Sequence, residues 1–241
     1  MASSSLKIEA VEFSSRTGEK IIAVNEHPYI VRLTHWVNAV SVVVLATSGL
    51  RIFAAYPSFG AKVPQQNLVG PELLTAMKKA SIGGWLGGGL QWHFTFMWFF
   101  LGSGILYCAY QLFTGHYKQV LFMPRDIKGV WPMARHYFLF GPKPEVTEAY
   151  NPLQKLAYTQ TLFFGVLAAL SGIVMWKPAQ FSFLAMLMGG FHLARVWHFI
   201  AMIGFLAFIP GHLIMVAIHG WSNFYSMLIG WKRDPEYVKH G

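Results

Sequence analysis

The chain has 241 residues, of which 54% are hydrophobic and 12% charged, whereas a soluble domain devotes about a quarter of its residues to charge; this excludes an ordinary water-soluble fold and points to lipid as the solvent. The net charge of +9 is dispersed through loops rather than gathered in a patch, which argues against nucleic acid as a partner. The one cysteine, Cys108, excludes internal disulfides, CxxC zinc sites and iron–sulfur clusters built from this chain alone.

Residues 1–29 form a polar segment without the apolar centre of a cleaved export signal, so membrane insertion is expected to use internal helices. Weak alternation at Lys7-Ile8-Glu9-Ala10 is compatible with a short hairpin. Beyond it, charge-free runs extend from Leu33 to Leu50, Ala80 to Tyr117, Leu156 to Trp176 and Val196 to Trp231. A spanning helix needs about 20 apolar residues, so four helices are predicted, near 31–54, 90–113, 156–176 and 194–220. They make residues 30–231 an all-α, integral-membrane four-helix bundle.

Gly83, Gly84 and Gly87 to Gly89 read as loop punctuation before the second helix, and residues 114–155 as a long basic loop. Residues 178–190 are apolar but too short for a span and contain Gly189-Gly190, so they are expected to lie on the surface or re-enter it. Residues 232–241 form a tail. Thirteen of the nineteen Lys and Arg residues fall in the N-terminal segment (counting Arg32), the 114–155 loop and the tail. The positive-inside rule then puts both termini in the cytoplasm. Nine Trp among 16% aromatic residues suit aromatic belts at the two bilayer faces.

Histidine inside hydrocarbon is costly unless paired, coordinated or facing a cavity, and four lie well within the spans: His35, His93, His198 and His212. His198 and His212, fourteen residues apart on the last span, fall within about 40° of one face and about 21 Å apart along the axis. With alternating span directions, His93 pairs with His198 near the outer face and His35 with His212 near the inner face. Neutral imidazole is an axial haem ligand, and two on one iron leave no open position, so two b-type haems and one-electron relay are expected.

Gly49, fourteen residues beyond His35, and Gly104, eleven beyond His93, lie on their ligand's face at the depth of the other haem. There they would give a porphyrin room, or simply allow close helix packing. Arg32, Arg51 and Arg195 flank the layers and would neutralise haem propionates or act as interface anchors. His219, seven residues past His212 on the same face, could replace it as ligand or stand beside a quinone. Asn38, His219 and Trp221 are the quinone candidates. Four histidines hydrogen-bonded inside a channel or transporter are the haem-free alternative, although broken helix pairs of the transporter type are missing.

The run Val31-Arg32-Leu33-Thr34-His35-Trp36-Val37-Asn38-Ala39, the pattern Arg195-Val196-Trp197-His198 with His212 fourteen on, and Asn151-Pro152-Leu153 before the third helix resemble the bacterial dihaem cytochrome b family. That family includes the membrane subunits of nickel–iron hydrogenases, the formate dehydrogenase gamma subunit and thiosulfate reductase cytochrome b. The resemblance covers residues 28–231. Gln91-Trp92-His93 lacks the arginine often found before the ligand in hydrogenase members. Phe113-Thr114-Gly115-His116-Tyr117 looks closer to cytochromes associated with molybdopterin oxidoreductases.

The resemblance implies bis-histidine ligation by these four residues, a quinone site near the inner haem, and a periplasmic hydrogenase, molybdopterin or iron–sulfur subunit docked on the outer face of a bacterial inner membrane. The function then expected is electron relay between that partner and the quinone pool. A stand-alone cytochrome that passes electrons from a small donor such as superoxide to quinone is the alternative.

Overall fold

The computed structural model describes residues 10–14, 20–25, 27–59, 70–142, 144–145 and 150–233. Its helices are α1 (Tyr29–Ala55), α2 (Pro71–Ala80), α3 (Leu86–Thr114), α4 (Tyr117–Val120), α5 (Ile127–Leu139), α6 (Pro152–Trp176), α7 (Ser182–Leu187), α8 (Phe191–His219) and α9 (Trp221–Ile229), with a 3₁₀ turn at Pro124–Asp126. Four of them, α1, α3, α6 and α8, are long and apolar enough to cross a bilayer, and the chain is an integral-membrane helical protein. These are the four predicted spans, each lengthened by a few residues at one or both ends.

The chain divides into two compact units, Asn38–Phe208 and the combination of Met1–Val37 with Ile209–Gly241. In Asn38–Phe208 the packed interior is made of small and hydroxylated residues. Ser41, Ser48, Ser58, Ser171, Val174, Ala194 and Ala201 are fully buried, while Val43, Trp98, Phe99, Ile105, Phe163, Val166 and Ile203 face outward. Lipid is as apolar as a leucine core, so membrane helices associate through small residues that let their backbones approach. The hydroxyls of Ser48 and Ser171 donate to carbonyls of their own helices, Ser48 to Val44 at 2.6 Å and Ser171 to Leu167 at 2.5 Å.

Gly87 to Gly89 belong to the first turn of α3 rather than to the loop before it. The reason is close packing: a methyl at Gly88 would strike the carbonyl of Gly83, and one at Gly89 would lie 2.8 Å from Cγ of Arg51. The glycines bring the helix start against its neighbours, and the chain reversal falls on Gly83 and Gly84, at φ 97° and 70°.

The start of α6 follows from its capping box. The Asn151 side-chain oxygen accepts from the Gln154 amide, and the Gln154 side chain accepts from the Asn151 amide, both at 3.0 Å, with Pro152 at the first helical position. Much of the expected 114–155 loop is helical. The amide of Phe122 donates to Thr159 Oγ1 at 2.8 Å, and Lys155 Nζ donates to Asp126 Oδ1 at 3.1 Å, which ties this segment to α6. Between α6 and α8, α7 has only six residues, and Gly189 and Gly190 turn the chain with positive φ. The 178–190 stretch is therefore not a fifth span.

In the other unit, the N-terminal hairpin is present as β1 (Ala10–Ser14) paired antiparallel with β2 (Lys20–Asn25). Apart from Ala10, the alternating tetrad that suggested it lies outside the described residues. The sequence gives no sign that β2 also pairs antiparallel with β3 (Trp231–Arg233), a three-stranded sheet added to the helical architecture. Arg32 Nη1 donates to the Leu228 carbonyl at 2.6 Å, and Trp36 Nε1 donates to the Met227 carbonyl at 3.1 Å. These bonds give the last carbonyls of α9 donors that lipid cannot supply.

Candidate functional site

The structure brings the four span histidines together as two pairs, each inside one unit. In Asn38–Phe208, His93 on α3 faces His198 on α8 with ring centroids 6.1 Å apart and planes at 60°. In the other unit, His35 on α1 faces His212 on α8 at 6.2 Å and 54°. Two imidazoles that hold one transition-metal ion, each nitrogen about 2 Å from it, place their ring centres roughly 6 Å apart. Both pairs have that spacing. Among the described residues no three His, Cys, Asp or Glu side chains converge on a common point, so each pair is a two-ligand donor set.

The hydrogen bonds at the first pair say which nitrogen is offered. His198 Nδ1 lies 3.0 Å from the carbonyl of Ala168 and 3.0 Å from Ser171 Oγ. A carbonyl can only accept, so Nδ1 carries the proton and Nε2 keeps its lone pair. His93 Nδ1 lies 3.0 Å from Ser48 Oγ, whose own proton goes to Val44. Nδ1 again donates, and Nε2 is again the nitrogen that keeps its lone pair. Metal-bound histidines characteristically hold the second ring nitrogen in this way. At the second pair, His35 Nδ1 is buried with no hydrogen-bond partner among the described residues, and its ring meets Trp36 edge-on at 5.1 Å. These donor sets fit haem iron.

The remaining candidates are placed as follows. A methyl at Gly49 would lie 3.4 Å from Cε1 of His93, whereas one at Gly104 would have nothing within 4 Å; the first glycine seats an imidazole and the second borders open space. Arg32 is engaged with Leu228 and lies over the Tyr29 ring at 5.7 Å. Arg195 donates to the Tyr56 carbonyl at 2.9 Å and lies over the Tyr56 ring at 5.3 Å. Arg51 Nη2 donates to the Lys78 carbonyl at 2.7 Å. All three brace helix ends. Asn38 accepts from Ser103 Oγ at 2.7 Å, which links α1 to α3. Trp221 is exposed and packs on Phe224 and Tyr225. His219 is the last residue of α8, and its side chain is outside the described set.

Sequence reasoning missed Ser48, Ser171, Gly172 and the Ala168 carbonyl. It gave the third span no part in the site, yet α6 holds the proton of His198. The available signal was the dipeptide Ser-Gly, which occurs in the apolar runs at Ser48-Gly49, Ser103-Gly104 and Ser171-Gly172, and only the first and last of these meet a histidine.

Comparison with known proteins shows the family. The family model described as prokaryotic cytochrome b561 matches residues 26–230. A putative protein-methionine-sulfoxide reductase subunit YedZ1 from Azospira oryzae is 36% identical over 196 residues, covering 80% of this chain and 90% of that protein. A probable Ni/Fe-hydrogenase B-type cytochrome subunit from Azotobacter chroococcum is 25% identical over 249 residues, covering 92% and 96%. Its counterpart from Cupriavidus necator is 25% identical over 213 residues, covering 82% and 80%. No solved structure matches. With four membrane-spanning helices, imidazoles paired within them and a family match along most of its length, the chain belongs to the prokaryotic cytochrome b561 family, membrane cytochromes b of electron transfer.

Proposed function

We propose that this chain is the membrane-anchoring dihaem cytochrome b subunit of a respiratory oxidoreductase complex and relays electrons between a partner redox subunit and quinone. The observation that carries the reading is the pair of imidazole couples, 6.1 and 6.2 Å between ring centres. His93 with His198, and His35 with His212, would hold one haem each. Haem held by these residues would supply a reversible one-electron centre, suited to electron transfer. The chain's own contribution is to present Nε2 of His93 and His198, to keep water away from the ligands with the apolar spans, and to leave room beside Gly104.

Asn38, His219 and Trp221 remain the proposed quinone contacts, and Arg32 and Arg195 the proposed partners of haem propionates. The proposed setting is a bacterial inner membrane with both termini cytoplasmic and the partner on the outer face. A relative at 36% identity is named as a reductase subunit and those near 25% as hydrogenase subunits. This favours a partner that takes electrons from quinol over one that delivers them.

The test is isolation of the protein from native membranes in mild detergent, followed by mixing with quinol and quinone analogues. A stoichiometric partner subunit together with haem bands that respond to the quinone couple is the expected result. A pure single chain that turns over superoxide without any partner would establish the stand-alone alternative instead.

A further inference from the structure

Two spans carry the same short device at the same intervals. In α1 the Leu45 carbonyl is followed three residues later by the hydroxyl of Ser48 and then by the bare backbone of Gly49; in α6 the order is Ala168, Ser171, Gly172. Each device receives one imidazole from the next span. Ser48 Oγ lies 3.0 Å from His93 Nδ1 and Ser171 Oγ lies 3.0 Å from His198 Nδ1. In α6 the carbonyl three residues earlier, that of Ala168, also lies 3.0 Å from His198 Nδ1. A methyl on the following glycine would come within 3.4 Å of Cε1 of His93 and 3.3 Å of Cε1 of His198. Both serines are fully buried.

Small-residue packing does not account for this. The third Ser-Gly pair in the spans, Ser103-Gly104, spends its hydroxyl on Asn38 and has nothing beside its glycine.

The geometry points to Ser48 and Ser171 as positioning residues that accept from the Nδ1–H of His93 and, beside the Ala168 carbonyl, of His198, and that tune the reduction potential of the one haem these histidines bind. The inference rests on the haem reading above and adds which residues tune that haem. A ligand that donates its outer N–H to an acceptor is the more basic, and a more basic ligand favours ferric over ferrous iron. The serines therefore lower the potential at this pair. The two serines bond His93 and His198, so the haem assigned to His35 and His212 is an internal control.

The experiment is a redox titration of the purified full-length, haem-loaded chain, followed by absorbance and by the low-spin electron paramagnetic resonance signals, for wild type, Ser48→Ala, Ser171→Ala and Ser48→Thr. In each alanine variant one haem should shift upward, its reduced-to-oxidised ratio at the wild-type midpoint rising several-fold, and its resonance should move. The other haem should keep both values, and Ser48→Thr should restore the wild-type ones. Should an alanine variant fail to assemble, Ser48→Cys and Ser171→Cys keep the volume with a weaker acceptor and should give smaller shifts in the same direction. Unchanged potentials and resonances in the assembled variants, or equal shifts at both haems, would overturn the assignment. A wild-type chain without haem would instead overturn the parent reading and this inference with it, a result visible before any variant is made.

Discussion

His198 donates its Nδ1–H to a backbone carbonyl, and that contact leaves Nε2 as the ring nitrogen with a lone pair to offer. The histidines themselves were legible in the sequence, because a ring that costs free energy in hydrocarbon stands out in a charge-free run. The serines that orient them were not: in a span the default partner of a serine hydroxyl is the carbonyl four residues back, and Ser48 and Ser171 keep that bond as well. Gly49 and Gly104 looked equivalent in spacing, but one touches a ring and the other borders open space. Gly104→Phe should therefore leave the fold and detergent stability nearly unchanged while haem content falls from two per chain towards one, read by the pyridine haemochrome assay. Retention of both haems would remove Gly104 from the porphyrin boundary.

The spans were legible as elements because length and lack of charge define them without reference to neighbours. The amphipathic helices α2 and α5 were not. They are 10 and 13 residues long, sit in stretches read as loops, and contain a boundary proline or an internal one, so their apolar spacing did not register as periodic. The Gly87–Gly89 run was misread because glycine signals a turn or a close approach equally well. Gly84→Ala should cost about 1–2 kcal/mol, the penalty of a left-handed residue. Gly83→Ala carries the same strain and also meets the backbone of Gly88 and Gly89, which should add roughly 1–3 kcal/mol of overpacking; thermal unfolding in detergent would give the order.

The segment before α6 has its own test. Burial opposes ionisation of Asp126, but the Met123 amide at 2.7 Å and the Lys155 ammonium outweigh it and hold the carboxyl below the ordinary carboxylate range. A depressed folded value means that the stabilisation is fully present above the unfolded value of 3.8 and is lost as pH falls through the folded one. The unfolding temperature of wild type should drop below about pH 4. That of Asp126→Asn should start several degrees lower at neutral pH and show less of this acid-side loss.

At the scale of the whole molecule, composition alone places the protein in lipid, and the distribution of Lys and Arg gives an orientation. A reporter that functions only in the cytoplasm, fused after Gly241, should be active, and one inserted after Lys78 should not; the reverse pattern would invert the topology. The pairing of chain ends in the β1–β2–β3 sheet was not legible, because Trp231-Lys232-Arg233 carries no strand signal until β2 offers it an edge. The proposed relay requires two imidazole couples that each bind one haem. Its most direct measurement is haem per polypeptide, with low-spin electron paramagnetic resonance, for wild type, His198→Ala and His212→Ala. Two haems in wild type are expected, with one remaining in each variant and a different signal lost in each; one haem or none in wild type, or both signals retained in either variant, would contradict it.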